Sequence, residues 1–150
     1  MTRQELFYKW LPQFLASDKA RELGIDNAKA FHEQPGTYKA AEKILACVDS
    51  IVKPCGSLGV QFKINSGYRC VQLNKAVGGE PDSYHTKALA VDIGVKYPSS
   101  INMLYTAFVG MALAKEIKYD LIILEPNWVH WQVCLEDSRN RKLIKDLRGK

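Results

Sequence analysis

The stretch "SYHTKALAVD", Ser83 to Asp92, decides how the chain is read. Its second half opens an alternation, Leu89, Val91 and Ile93 against Ala90 and Asp92, which predicts a strand with one apolar face. His85 stands in the loop that leads into that strand. A second stretch, "EPNWVHWQV" (Glu125 to Val133), repeats the pattern. There Val129, Trp131 and Val133 share one face, and Trp128, His130 and Gln132 share the other. If both apolar faces turn to one core, Asp92 and His130 project into one cleft, and His85 folds over it.

The 150 residues fit one domain, 1–150, with a core large enough to fold alone. At 47% hydrophobic and 25% charged, the composition is that of a globular protein. No apolar run reaches the length of a membrane span, so no membrane partner is expected. The start, "MTRQELFYKWLPQFLASDKA", lacks the pattern of a signal peptide. Synthesis in a cytoplasm is therefore expected, with any export by another route. The cysteines, Cys47, Cys55, Cys70 and Cys134, form no C-x-x-C pair and read as free structural thiols rather than zinc ligands.

The net charge of +5 sits entirely in a basic segment, 138–150, with six Lys/Arg and one Asp. Such a segment suits an anionic surface, a wall polymer or a nucleic acid. The plainer reading is a solvated helix docked through Leu143, Ile144 and Leu147, which have helical spacing. The other 137 residues are neutral and show no nucleic-acid motif, so nucleic acid is not an expected partner.

Along the chain, "SDKARELGIDN" reads as a short helix with Ser17 as N-cap and Gly24 as its stop. "FHEQPGT" reads as a loop carrying His32. Apolar residues at 41, 44, 45, 48, 51 and 52 predict an amphipathic helix ended by Pro54 and Gly56. "VQFKIN" (60–65) alternates as a strand, "SGYR" turns, and "CVQLNKAV" makes one or two helical turns. A breaker-rich loop follows. "SSINMLYTAFVGMALAKEI" predicts a serine-capped apolar helix, and "LIILE" (121–125) a buried strand. Short strands mixed with three or four helices predict an α+β fold, a small antiparallel sheet flanked by helices.

His85, Asp92 and His130 are good first-row metal ligands, and three protein ligands leave a fourth zinc position open. That is the donor count of a catalytic site. Against this stands the ordinary reading of a hydrogen-bonded strand histidine and a solvated aspartate. No local signature such as H-E-x-x-H decides between them.

A longer stretch carries a resemblance. "SGYRCVQLNKAVGGEPDSYHTKALAVDI" (66–93) closely resembles the core signature of the M15 zinc peptidases: S-G-Y-R, then N and V-G-G, then S-x-H-x-x-G-x-A-x-D, and later W-V-H. The matching positions are Ser66 to Arg69, Asn74, Val77 to Gly79, Ser83, His85, Ala90, Asp92, and Trp128 to His130. "ARELGIDN" is similar to the lead-in of the W-V-H subgroup, and the likeness spans about residues 15 to 135. It implies the zinc D-Ala-D-Ala peptidase (hedgehog/DD-peptidase-like) fold and one Zn²⁺ per chain on His85, Asp92 and His130. It further implies that Arg69 contacts substrate oxygens, and that Ser83 and Tyr68 contact substrate. A planar, always-charged guanidinium suits that task. Peptidoglycan stem peptides are the implied substrate, cut by a D,D-carboxypeptidase or endopeptidase.

Two departures stand out. Ala88 occupies a position usually held by glycine, and a left-handed backbone there would cost alanine about 1 kcal/mol or more. Asn127 occupies the place, three residues before the last zinc histidine, where many M15 enzymes carry their catalytic carboxylate; an amide is no base. Glu125 is the expected replacement. If Pro126-Asn127 is a two-residue hairpin loop, Glu125 faces Trp128, Ile123 faces His130, and Glu125 lies on the side of His130. One more loop residue would reverse that parity. The expected protein is a phage endolysin or cell-wall carboxypeptidase acting at the bacterial wall, with anionic wall polymers as partners of the basic segment. The alternative is a structural phage tail module that keeps the fold without turnover.

Overall fold

The computed structural model describes residues 1–149. Seven helices, five of them ahead of the first strand, and five strands make an α+β arrangement: α1 (Arg3–Leu15), α2 (Asp18–Leu23), α3 (Asn27–Glu33), α4 (Thr37–Ser50), α5 (Val52–Ser57), β1 (Phe62–Ser66), α6 (Val71–Ala76), β2 (Ala90–Val95), α7 (Ile101–Leu113), β3 (Leu121–Leu124), β4 (Val129–Gln132) and β5 (Leu143–Asp146). Short 3₁₀ turns at Tyr84–Lys87, Pro98–Ser100 and Asp137–Arg139 complete the described chain.

The sheet runs β1-β2-β4-β3-β5. Its first four strands pair antiparallel, as expected. The fifth does not. The segment with helical spacing at Leu143, Ile144 and Leu147 is not a helix: Leu143–Asp146 pairs parallel with β3, and all four residues are exposed. The backbone of Asp120 and Leu124 recruits this strand, Leu143 N–H donating to Asp120 O (3.0 Å) and Leu147 N–H to Leu124 O (2.8 Å). Main-chain bonds at a sheet edge thus override a side-chain spacing that is also compatible with a strand. Of the basic segment 138–150, Lys150 lies outside the described residues.

Periodicity builds the core. Val91, Ile93, Val129, Trp131 and Val133 are fully buried on one face of the sheet. Phe108 of α7 meets Trp131 edge-on at 5.3 Å, and the indole N–H of Trp131 donates to Lys118 O at 2.8 Å. Truncating a core aromatic of this size costs about 3–5 kcal/mol. Helix α1 lies in a segment whose mixed aromatic and charged residues announce no element. It is held by a capping box between Thr2 and Glu5, and buries Phe7, Trp10, Leu11 and Phe14 at helical spacing. Trp10 stacks on Phe62 of β1 at 5.7 Å.

Ser17 and Gly24 bound α2 as expected, the glycine in the left-handed conformation. His32, expected in a loop, is in the last turn of α3, which Asp26 caps. Helix α4 stops at Ser50, and Pro54 lies inside the following α5 rather than ending α4; a proline near a helix start forfeits little, because the first N–H groups have no intrahelical acceptor. Ser100 precedes α7 but makes no side-chain cap. All four cysteines are free thiols. No helix among the described residues is long and apolar enough to cross a membrane.

Candidate metal centre

Neighbouring strands bring the site together. Asp92 on β2 pairs with His130 on β4, and Ile123 on β3 pairs with the same His130. With Val91 and Ile93 turned into the core, Asp92 must face the other way, and so must His130 between Val129 and Trp131. His85 arrives from the 3₁₀ turn, whose first N–H groups are capped by Ser83: its hydroxyl accepts from His85 N–H at 3.2 Å. The three residues present ligand atoms within 4.8 Å of one another. His32 is not among them.

The turn is fixed by close backbone approaches. Tyr68 N–H donates to Phe14 O at 2.9 Å, and a Cβ on Gly67 would lie 2.4 Å from that same carbonyl, so only glycine fits. Gly67 O in turn accepts from His85 Nδ1–H at 2.7 Å, which leaves Nε2 as the free ring nitrogen. Asn27 is buried beneath: its amide donates to Leu15 O and Tyr68 O, and its oxygen accepts from Cys70 N–H at 2.8 Å. Asn27 thus explains why the "ARELGIDN" lead-in belongs with "SGYR", a role that sequence reading missed.

The donor set fits a metal ion. His85 Nε2 is buried and has no hydrogen-bond partner among the described residues. It lies 3.4 Å from Asp92 Oδ1, outside good hydrogen-bond geometry. Two ligands of a tetrahedral zinc, each about 2.0–2.1 Å from the ion, would stand roughly that far apart. His130 Nδ1 lies 3.0 Å from the same Asp92 oxygen. Burial opposes the charge on Asp92, but the neighbouring His130 and His85 rings outweigh that cost and hold the carboxyl well below its ordinary range. Burial also opposes a charged His130, yet Asp92 and Gln132 raise its pKa.

Around these ligands opens a cleft of about 580 Å³. Arg69, Ser83, Glu125 and Trp128 line it together with the three candidate ligands. Arg69 is held by Asn74, Nη1–H donating to Asn74 Oδ1 at 3.1 Å, while its buried Nε lacks a partner among the described residues. Burial pulls its pKa below the ordinary arginine value, against the pull of Asp92. The Val-Gly-Gly sequence follows from this clasp: a Cβ on Gly79 would meet Asn74 Oδ1 at 2.1 Å. Tyr68, expected to touch substrate, is only 2% exposed; its ring packs on Phe31 and its hydroxyl donates to Gln34 at 2.6 Å. Tyr68 is not among the residues lining this cleft, but it lines a neighbouring pocket together with Arg69 and Asp92.

The hairpin parity holds. Leu124 pairs with Val129, Glu125 N–H donates to Trp128 O at 3.0 Å, and Pro126-Asn127 is the two-residue loop between them. Tyr105 OH donates to the carbonyls of Glu125 and Pro126, supplying the outside support that a proline-containing turn needs. The Glu125 side chain lines the cleft and has no ion-pair or hydrogen-bond partner among the described residues, whereas Asn127 is exposed at the loop tip. Ala88 does adopt the left-handed conformation, φ 59° and ψ 32°, at the end of the 3₁₀ turn.

An α+β domain that gathers two histidines, an aspartate, an arginine and an unpaired glutamate around one cleft has the layout of a metallohydrolase. The family model described as Peptidase M15 matches residues 12–131, and the chain belongs to that family of zinc-dependent peptidases. No curated protein and no solved structure matches the chain.

Proposed function

We propose that the protein is a zinc-dependent peptidase, with one ion per chain, that hydrolyses an amide bond in peptidoglycan stem peptides at the bacterial cell wall. The observation that carries this reading is the His85–Asp92–His130 cluster, with a buried, unpartnered His85 Nε2 opening on a cleft that also holds Arg69 and Glu125. A zinc ion held there would supply Lewis-acid chemistry, polarising a carbonyl and making water more acidic.

The chain's own residues supply the rest. Arg69 binds the oxygen on which negative charge develops, or a carboxylate of the peptide, with a guanidinium that Asn74 keeps in place. The Glu125 carboxylate accepts a proton from the attacking water. It then returns that proton to the amine nitrogen as the C–N bond breaks, so one water is consumed and a carboxylate and an amine result. Ser83 contributes to the wall of the same cleft while capping the turn that carries His85. The basic residues of 138–149 would hold anionic wall polymers near the cleft. In this reading the protein is a phage endolysin or a wall carboxypeptidase.

Mass spectrometry of purified muropeptides incubated with the zinc-loaded protein tests the proposal and identifies the bond. Products shortened at one stem-peptide amide are expected. Intact muropeptides under zinc saturation would instead favour a structural module that keeps the fold.

A further inference from the structure

Behind His130 runs a chain of hydrogen bonds that the proposed mechanism does not use. His130 Nε2 lies 2.7 Å from Gln132 Oε1, and Gln132 Nε2–H donates to Asp120 Oδ2 at 2.9 Å. Asp120, at the end of β4's neighbour β3, is fully buried. Arg141 binds it through Nε–H and Nη2–H, with Nη2 at 2.8 Å from Oδ2, and through its backbone N–H at 2.8 Å from Oδ1. A carboxylate so held accepts hydrogen bonds and donates none.

The direction of every bond follows. The Gln132 amide must turn its NH₂ toward Asp120, because the reverse would set two oxygens face to face. Its oxygen therefore faces His130. An oxygen can only accept, so His130 Nε2 must carry the proton, and in the neutral ring, the form that binds a metal, Nδ1 then carries the lone pair. Nδ1 is the nitrogen 3.0 Å from Asp92 Oδ1. On the other side, Gly67 O fixes the opposite tautomer on His85, leaving its Nε2 lone pair on the same Asp92 oxygen. With His130 neutral, three electron-rich atoms within 4.8 Å of one another are brought together, an arrangement that a bound cation makes favourable.

We infer that Arg141, Asp120 and Gln132 form a positioning relay that sets the tautomer of His130 and so selects Nδ1 as its metal-binding atom. The inference rests on the metal-centre reading above, and adds three residues to it that do not touch the ion. Gln132 is the member on which His130 depends directly; Asp120 acts by orienting Gln132, and Arg141 by anchoring Asp120. Loss of such outer hydrogen bonds typically lowers metal affinity by about 10–100-fold.

The test reads ring nitrogens and affinity rather than turnover. Long-range ¹H–¹⁵N NMR of the zinc-loaded protein, simple to assign with three histidines, should show His130 protonated at Nε2 and metal-bound at Nδ1, and His85 the reverse. Gln132→Met, which keeps length and volume, should lower zinc affinity about 10–100-fold in a chelator competition. Asp120→Asn should act in the same direction, and the double variant should lose no more than Gln132→Met alone, because both cut one chain. A zinc-loaded wild type with His130 protonated at Nδ1 overturns the relay, as do additive losses or an undiminished affinity in Gln132→Met. Should Gln132→Met fail to fold, the wild-type nitrogens still decide. A wild type that binds no zinc overturns the metal-centre reading itself, a separate result.

Discussion

Glu125 and Trp128 face each other across a two-residue turn, the amide of Glu125 donating to Trp128 O at 3.0 Å. This single pairing puts the glutamate on the cleft side with His130 and sends Asn127 out to the loop tip. Replacing Glu125 by Gln keeps shape and hydrogen-bonding capacity but removes the base. Glu125→Gln should retain zinc and fold while losing on the order of 10²–10⁴-fold in rate. Asn127→Ala should cost far less. Stem-peptide hydrolysis followed by chromatography, with zinc measured on the same samples, checks both. A Glu125→Gln variant at the wild-type rate would remove Glu125 as the base.

The metal ligands are tested by subtraction. After dialysis the wild type should hold about one zinc per chain, and His85→Ala, Asp92→Ala and His130→Ala should each fall toward none. His32 packs against Phe31 and Tyr38, at 5.4 and 5.8 Å between ring centres, and belongs to no metal cluster among the described residues. His32→Ala should keep its zinc. Elemental analysis separates these outcomes, and zinc retained by all three ligand variants would dismiss the site.

The site was legible because alternation in a strand fixes which way each side chain points. Val91 and Ile93 in the core force Asp92 out; Val129, Trp131 and Val133 do the same for His130. The hairpin parity followed from loop length alone. What sequence reading missed depends on contacts between distant segments. Asn27 clasping Tyr68 and Cys70, or Asp120 joining Gln132 to Arg141, leaves no local pattern. The C-terminal segment failed for a related reason. Leu143, Ile144 and Leu147 fit a helix face, but the backbone of β3 offered an unpaired edge, and edge pairing is invisible in spacing. The motif also holds the Tyr68 backbone beside Phe14 and packs its ring on Phe31, contacts that no local pattern announces.

Asp120 also makes a prediction about acid. Its carboxyl is held well below the ordinary range, chiefly by hydrogen bonds from the Arg141 side chain, against the cost of burial. A folded pKa below the unfolded value, about 3.9, means that the pair contributes stability above that value. The contribution drains away as pH falls toward the folded pKa. Asp120→Asn should therefore destabilise the protein by about 2–3 kcal/mol at pH 7, and the gap from wild type should narrow below about pH 4. Urea unfolding of the metal-free proteins at both pH values measures this. A gap that stays constant, or widens in acid, would contradict the ion pair.

Ala88 tests the cost of the departure from glycine. At φ 59° an alanine is strained by about 1–2 kcal/mol relative to a right-handed backbone. Ala88→Gly removes that strain. Two losses oppose the gain: a methyl that is fully buried here, worth about 0.8 kcal/mol, and extra freedom in the unfolded chain, worth about 0.4–1 kcal/mol. The effects nearly cancel, so Ala88→Gly should change stability by less than about 1 kcal/mol, with zinc content unchanged. Ala88→Val is different. A β-branched side chain in the left-handed region adds strain, and its extra methyls would crowd a buried position two residues before the strand that carries Asp92. Ala88→Val should cost more than about 2 kcal/mol and weaken zinc binding, because the turn holding His85 must shift to accommodate it. Denaturant unfolding and chelator competition on the two variants check the pair. An Ala88→Val protein as stable and as tightly zinc-bound as wild type would mean that the turn is not constrained as its backbone angles imply.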